Sequence, residues 1–332
     1  MKNTIFTTAI MLSALGFSQA ASAQSAEANK NAESLDIAVG GSFAKPKIMP
    51  KLEKFGIAQM TITYKLTTME RAAGKDKGPS GKIAGAKVSA YLETTDGTLS
   101  PADFQEVTDH FYTYFQQKLK ASGIDTVGWA TVAAQDFYKD ADGKTETNEE
   151  ESGSGQVWVT HNANKGNSMY GGATAFAFGK IKKASKFCEA IDAPAGFFHL
   201  TVDFADVEVG VKITSSEHDG YYGVERTTNF KYDAGVKPQM KVTPAKGNTL
   251  LWNEKSQGES IVLREDIEGK THYHTSISAD RSKLKNNLFG FAKQMDPIVI
   301  ETTKEKYKAA AKVALEKYAD AFIAKAKQVK KS

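Results

Sequence analysis

The sequence predicts a mixed α/β (α+β) fold: a mixed, largely antiparallel sheet flanked by helices, with a long C-terminal helix. Three observations carry that expectation. Phe55–Met69 and Phe197–Ile213 alternate apolar and polar residues with the period of a half-buried strand. Phe104, Val107, Phe111, Tyr114, Phe115 and Leu119 recur at three- and four-residue steps, which makes one apolar face of a helix. Tyr307, Ala311, Leu315, Tyr318, Phe322 and Ala326 repeat that spacing near the end of the chain.

Residues 1–23 read as a secretory signal peptide. Lys2 precedes the apolar run Ala9–Phe17, and Ala21-Ser22-Ala23 supplies small residues before a mature start at Gln24. The run is shorter than the roughly 20 residues a bilayer needs. No cysteine stands near the cleavage point, so no lipid is expected there. Residues 24–50 read as a mobile N-terminal segment, with Leu35–Val39 as a short strand.

Residues 51–300 read as a single α/β domain with loop insertions at 70–86 and 140–180. Phe55–Met69 is its first strand and Lys87–Thr94 its second. Ser100 is placed to cap the central helix, with Pro101 at the first helical position and Asp103 where a capping-box acid belongs. Lys118 falls on the exposed side, and Gly123 is a natural stop. Ile124–Trp129 reads as a short buried strand, with a helix opening near Ala130. Asp140–Gly155 is an acidic, Gly/Ser-rich loop, Val157–His161 a short strand, and Ile181–Ile191 a helix. The slip in alternation within Phe197–Ile213 marks a β-bulge near Ala205-Asp206. Strands follow at Val224–Tyr232, Lys237–Thr243, Thr249–Asn253, Ser260–Arg264 and His272–Ser278. Residues 301–332 form a basic amphipathic C-terminal helix.

Several phrases resemble the α/β domain of the curli-secretion-channel lipoprotein family and related periplasmic envelope proteins. They are FGIAQMTITY before the central helix DFQEVTDHFYTYFQQKL, SKFCEAIDAPAGFFHLTVDFADVEV, and MKVTPAKGNTLLWNEKSQ. The resemblance implies an envelope α/β domain. It does not extend to a pore, because the chain lacks the family's lipidated N-terminal cysteine. The insertions also lack the roughly ten-residue alternating segments of membrane strands.

The formal net charge is +4. Residues 301–332 hold nine lysines and four acids, so the tail carries the positive charge and the remainder is near neutral. No nucleic-acid partner is expected, nor a transmembrane helix. The closing helix has two readings, weak contact with an anionic membrane surface or docking on its own domain; its many alanines favour docking. The single Cys188 has no internal disulfide partner and reads as a small buried hydrophobe.

The chemistry-bearing patterns are sparse. Gly74–Lys82 lacks the Ser/Thr and the first glycine of a phosphate loop. The loop from Asp140 puts Lys144 and Thr145 where a calcium loop needs an acid and a glycine. No Gly-x-Ser-x-Gly elbow occurs, so no catalytic residue and no cofactor is assigned. His272 and His274 stand two apart on a strand, so their rings share a face and can begin a zinc or copper site. His161, His199 or Glu265 are the candidates for a third ligand. The expected function is that of an exported, non-enzymatic envelope-associated protein acting through contacts with envelope proteins. A secreted binding module for a small molecule or glycan, built on 163–180 or 218–224, is the alternative; a hydrolase with an unrecognised site is the other. The oligomeric state is left open.

Overall fold

The structure is a computed structural model of the 332-residue chain. It describes residues 25–39, 46–75, 83–135, 157–161, 178–221, 223–244, 249–255, 258–269, 272–283 and 292–331. Residues 1–23, expected as a signal peptide, residues 140–155, expected as an acidic loop, and residues 162–177 lie outside the described residues.

The N-terminal third holds helix α1 (25–34), strands β1 (Leu35–Val39), β2 (Lys54–Lys65), β3 (Thr67–Lys75) and β4 (Ile83–Thr94), then the central helix α2 (Pro101–Ala121). β5 (Asp125–Thr126), α3 (Trp129–Ala133), β6 (Val157–His161) and α4 (Phe178–Ala190) follow. Two long strands, β7 (Ala195–Gly220) and β8 (Gly223–Pro244), lead to β9 (Leu250–Trp252), β10 (Gly258–Leu263) and β11 (Ile267–Gly269). The chain closes with β12 (His274–Ala279), β13 (Ala292–Gln294), β14 (Ile298–Thr302) and helix α5 (Lys304–Lys331).

The described strands form two sheets. The first follows the order β1-β10-β9-β7-β2-β5, with β6 also on β2, β8 on β7 and β11 on β8. β2 runs parallel to β7 and β5, and the remaining pairs are antiparallel. The second follows β12-β14-β4-β13, with β3 on β4. There β13 and β14 run parallel to β4. The mixed α/β class and the long C-terminal helix therefore hold, with two sheets sharing the strands expected of one.

The central helix forms as its ends dictate. Ser100 and Asp103 make a reciprocal capping box, and Pro101 opens the first turn. At the other end Gly123 takes φ 81°, which L side chains disfavour. Its N–H and that of Ile124 then reach the carbonyls of Lys120 and Leu119. The buried face is Phe104, Val107, Thr108, Phe111, Tyr112, Phe115 and Leu119. Tyr114, expected on that face, instead lies at its margin and donates its hydroxyl to Asp320 at 3.1 Å.

Alternation along β7 divides the core. Phe198, Leu200, Val202 and Phe204 face α2 and α5 in the main cluster. Ala195 and Phe197 face the other way, against Phe187, Cys188 and Ile191 around α4. Phe115, Phe198 and Phe322 meet at 5.2–5.6 Å between ring centroids, with Phe55 6.2 Å from Phe322.

Helix α5 is not a surface element. All six of its predicted apolar residues are buried, as are Ala310, Ala314, Ala319, Ala321, Ile323 and Ala324. The alanines let it lie close on the sheet, and the apolar stripe that a bilayer would need is used by the core. Its lysines bind the protein too: Lys308 and Lys312 both hold Glu106 at 2.6 Å.

Other expectations change. Residues 24–50 do not behave as a mobile start throughout. The Glu259 carboxylate, 1% exposed, accepts the backbone N–H groups of Lys47, Ile48 and Met49, which ties a 3-10 turn at Met49–Lys51 to β10. The loop assigned to 70–86 is largely the β3–β4 hairpin, whose residues 76–82 lie outside the described ones. The two strands assigned within 224–243 are one, because β8 runs along β7 from Leu200↔Pro244 to Gly220↔Gly223. Helix α5 starts at Lys304, since Glu301 and Thr302 belong to β14.

Phe111→Ala and Phe322→Ala should each cost about 3–5 kcal/mol in urea denaturation. An effect near zero for either would place that ring outside the core. The hydrogen bonds from Lys308 and Lys312 hold the Glu106 carboxyl below its usual range. A carboxyl depressed in the folded state stabilises above its unfolded value of 4.5 and ceases to as pH falls through the folded one. Wild type should therefore lose more melting temperature than Glu106→Gln between about pH 5 and about pH 3, by a small margin because the pair is exposed. Parallel profiles would show that the clamp contributes nothing.

Candidate functional site

The most prominent feature outside the core is an arm formed by β7 and β8. The register runs from Leu200↔Pro244 to Gly220↔Gly223 and slips between Asp203 and Ala205, next to the bulge expected from the sequence. Pro238 sits opposite Ala205 at that slip, where its missing N–H is tolerated. Beyond it the arm is amphipathic. Val207, Val209, Val211 and Ile213 pair with Val236, Ala234, Tyr232 and Phe230 on one half-covered face. Glu208, Lys212, Lys231 and Asp233 stand on the exposed face.

The arm's apolar face leans on the second sheet. A Cβ on Gly74 of β3 would lie 3.2 Å from Ile213 Cδ1 and 3.3 Å from the Val211 carbonyl oxygen, so glycine permits this crossing. Lys293 of β13 places its ammonium 4.8 Å from the centre of the Tyr232 ring. At the tip Tyr221 is 92% exposed.

Buried charge fixes the root of the arm. Asp203 accepts hydrogen bonds from Lys65 Nζ at 2.6 Å and from Thr68 Oγ1 at 2.9 Å. Lys241 bridges Asp206 and Asp266. Burial alone would lower the Lys241 pKa, but Asp206, Asp203 and Asp266 outweigh it and hold it above its usual value. The Tyr273 hydroxyl donates to the Phe204 carbonyl beside the slip. The Asp203/Asp206 carboxylates are thus structural counter-ions, each with its own lysine.

The outer edge of β8 is the arm's open feature. β11 covers only Met240–Val242. From Gly223 to Gln239 that edge pairs with no strand among the described residues.

A cleft lies where α1 crosses α2 and α5. A cavity of about 110 Å³ is bounded by Glu27, Asn31, Tyr114, Glu316, Lys317 and Asp320, and one of about 290 Å³ adjoins it near Lys118 and Lys327. Its charges satisfy one another: Lys317 holds Glu27 at 3.0 Å, and His110 meets Glu316 at 2.6 Å. Lys118, expected as a plain surface residue, pairs with Asp320 at 3.2 Å and lies 5.0 Å from the Tyr114 ring centre. Burial pushes the Tyr114 phenol up to about 12, so it stays protonated.

The structure brings His272 and His274 together, with ring centroids 4.1 Å apart. Burial first, then His272 and Lys306, hold the His274 imidazole below its usual pKa. The proposed third ligands are elsewhere. His161 and His199 pair with Thr61 from opposite sides in the first sheet, and Glu265 is exposed in the turn after β10. Among the described residues no group of three or more His, Cys, Asp or Glu is placed to hold a metal ion. Cys188 is buried, with its thiol pushed up to about 12 chiefly by desolvation, and its Sγ donates to the Trp252 carbonyl. It is the inert small hydrophobe expected. Phe197, Phe198, Trp252 and Tyr273 are core residues, so none of them offers an exposed ring to a sugar.

Sequence reasoning missed a buried polar strip on the first sheet. Gln59, Thr61 and His199 are all buried, with Gln59 Nε2 donating to Thr61 Oγ1 at 2.9 Å. Their alternation with Met60, Ile62 and Leu200 marks a face but says nothing of what covers it. Among the described residues no helix is long and apolar enough to cross a membrane. No protein-family model, curated protein or solved structure matches the chain.

Asp203→Ala should cost about 1.5–3 kcal/mol in urea denaturation, because it strips the partner from Lys65 and Thr68 in a buried setting. Asp206→Ala, at a more open pair, should cost under about 1 kcal/mol. Equal losses would mean that Asp203 does not anchor the arm.

Proposed function

We propose that this is an exported, non-enzymatic protein of the bacterial envelope that acts through protein–protein contacts. Its contact surface is the outer edge of β8 over Gly223–Gln239, which takes an extended segment of a partner protein as an added strand. The observation that carries this reading is that open edge, roughly 55 Å long at the usual rise per residue. A strand edge offers a row of backbone donors and acceptors to an incoming chain. β11 already pairs with the same edge at Met240–Val242, so an added strand would continue an existing ladder. Lys231, Asp233, Lys237 and Pro238 discourage indiscriminate pairing, as edge charges and prolines do. The signal-peptide pattern over 1–23 and the resemblance to envelope α/β domains support the location.

A glycan- or small-molecule-binding module is the second reading, favoured by Tyr221 at the tip. The two separate by experiment. A photo-crosslinking residue at Lys231 should capture one defined envelope protein, and the same residue at Lys51 should not. Replacing 209–234 with a Gly-Gly turn should abolish capture while the body melts as before. A shortened arm that keeps the partner would overturn the proposal. A glycan-induced melting shift that Tyr221→Ala removes would favour the second reading.

A further inference from the structure

The geometry points to His272 and His274 as a two-imidazole chelate for a borderline divalent transition metal, Cu(II) above all, with water completing the coordination. The site is independent of the β8 edge. Its main asset is a fixed backbone. Tyr273, between the two histidines, is fully buried, and its hydroxyl donates to the Phe204 carbonyl. Its own carbonyl accepts from Thr302 Oγ1 at 2.6 Å. Tyr273 precedes β12 and is pinned into the core at both ends, and the rings of His272 and His274 on either side of it come together. They do so side by side, 4.1 Å between ring centroids and tilted by 38°. That separation leaves the rings close enough to swing two nitrogens onto one ion.

The second asset is an uncommitted ligand atom. His274 Nδ1 is buried and makes no hydrogen bond among the described residues. A ring nitrogen in that state is either an unsatisfied acceptor or a ligand waiting for an ion.

The donor set selects the metal. Structural zinc takes four protein ligands, and no third His, Cys, Asp or Glu stands here among the described residues. Copper(II) accepts a tetragonal shell of imidazole and water, and binds nitrogen ligands more tightly than its divalent neighbours in the first row. The Lys306 ammonium near His274 opposes any cation, so it limits affinity and supplies a control.

The test uses tag-free protein and CuCl2 alone in a non-coordinating buffer. Calorimetry should find about one Cu(II) per chain, and electron paramagnetic resonance should show nitrogen coupling from imidazole. His272→Ala and His274→Ala should each abolish that event with unchanged melting of the metal-free protein. His218→Ala, at the distant arm tip, should leave it intact, and Lys306→Ala should tighten it. Wild type that takes up no Cu(II), or binding that persists when both histidines are replaced, would overturn the proposal.

Discussion

The structure depends on one knot of aromatic rings. Phe55 from β2, Phe115 from the central helix, Phe198 from β7 and Phe322 from the closing helix meet edge to face or tilted. Edge-to-face contact adds about 0.5–1.5 kcal/mol per pair to the area each ring buries. More important is what the knot joins. β2 and β7 are the central parallel pair of the first sheet, and the two helices are the layer that covers it. Each ring reports that its element is in register with the other three.

Around that centre, buried charge is used to fix direction. Glu259 and Asp203 each sit on the first sheet with almost no exposure, and each is matched by a full set of donors. Glu259 turns the N-terminal segment onto β10. Asp203 holds β7 to Lys65 and Thr68 where β2 gives way to β3, and the arm departs from there. A buried carboxylate without its donors would cost several kcal/mol, so only one path of the chain is stable at each point.

Much of the frame is legible in the sequence because the signals are local. Ser100, Pro101, Asp103 and Gly123 define the central helix with no help from the rest of the chain. The alternation and slip in β7 are equally local. Where the reading fails, the deciding contact is distant. Residues 233–236 look like a turn, yet the strand passes through them because Glu208 and Val209 pair with Gly235 and Ala234. Arg71–Gly74 reads as loop until β4 supplies a ladder. Lys118 reads as a surface residue because its partner, Asp320, is on another helix. Of the candidate site, the histidine pair is visible as a spacing, whereas the buried Tyr273 that orients it and the open edge of β8 are not.

The long sequence separation between Phe55 and Phe322 has a kinetic meaning. The covering layer of the first sheet is built partly from α5, an element far along the chain from the strands it covers. Until α5 docks, Phe55, Phe115 and Phe198 lack their fourth ring. Contacts between the two ends of a chain carry the largest loop-closure cost and form late. Closure of the ring knot is therefore a late step in folding, and until α5 docks the buried face of the first sheet stays partly uncovered.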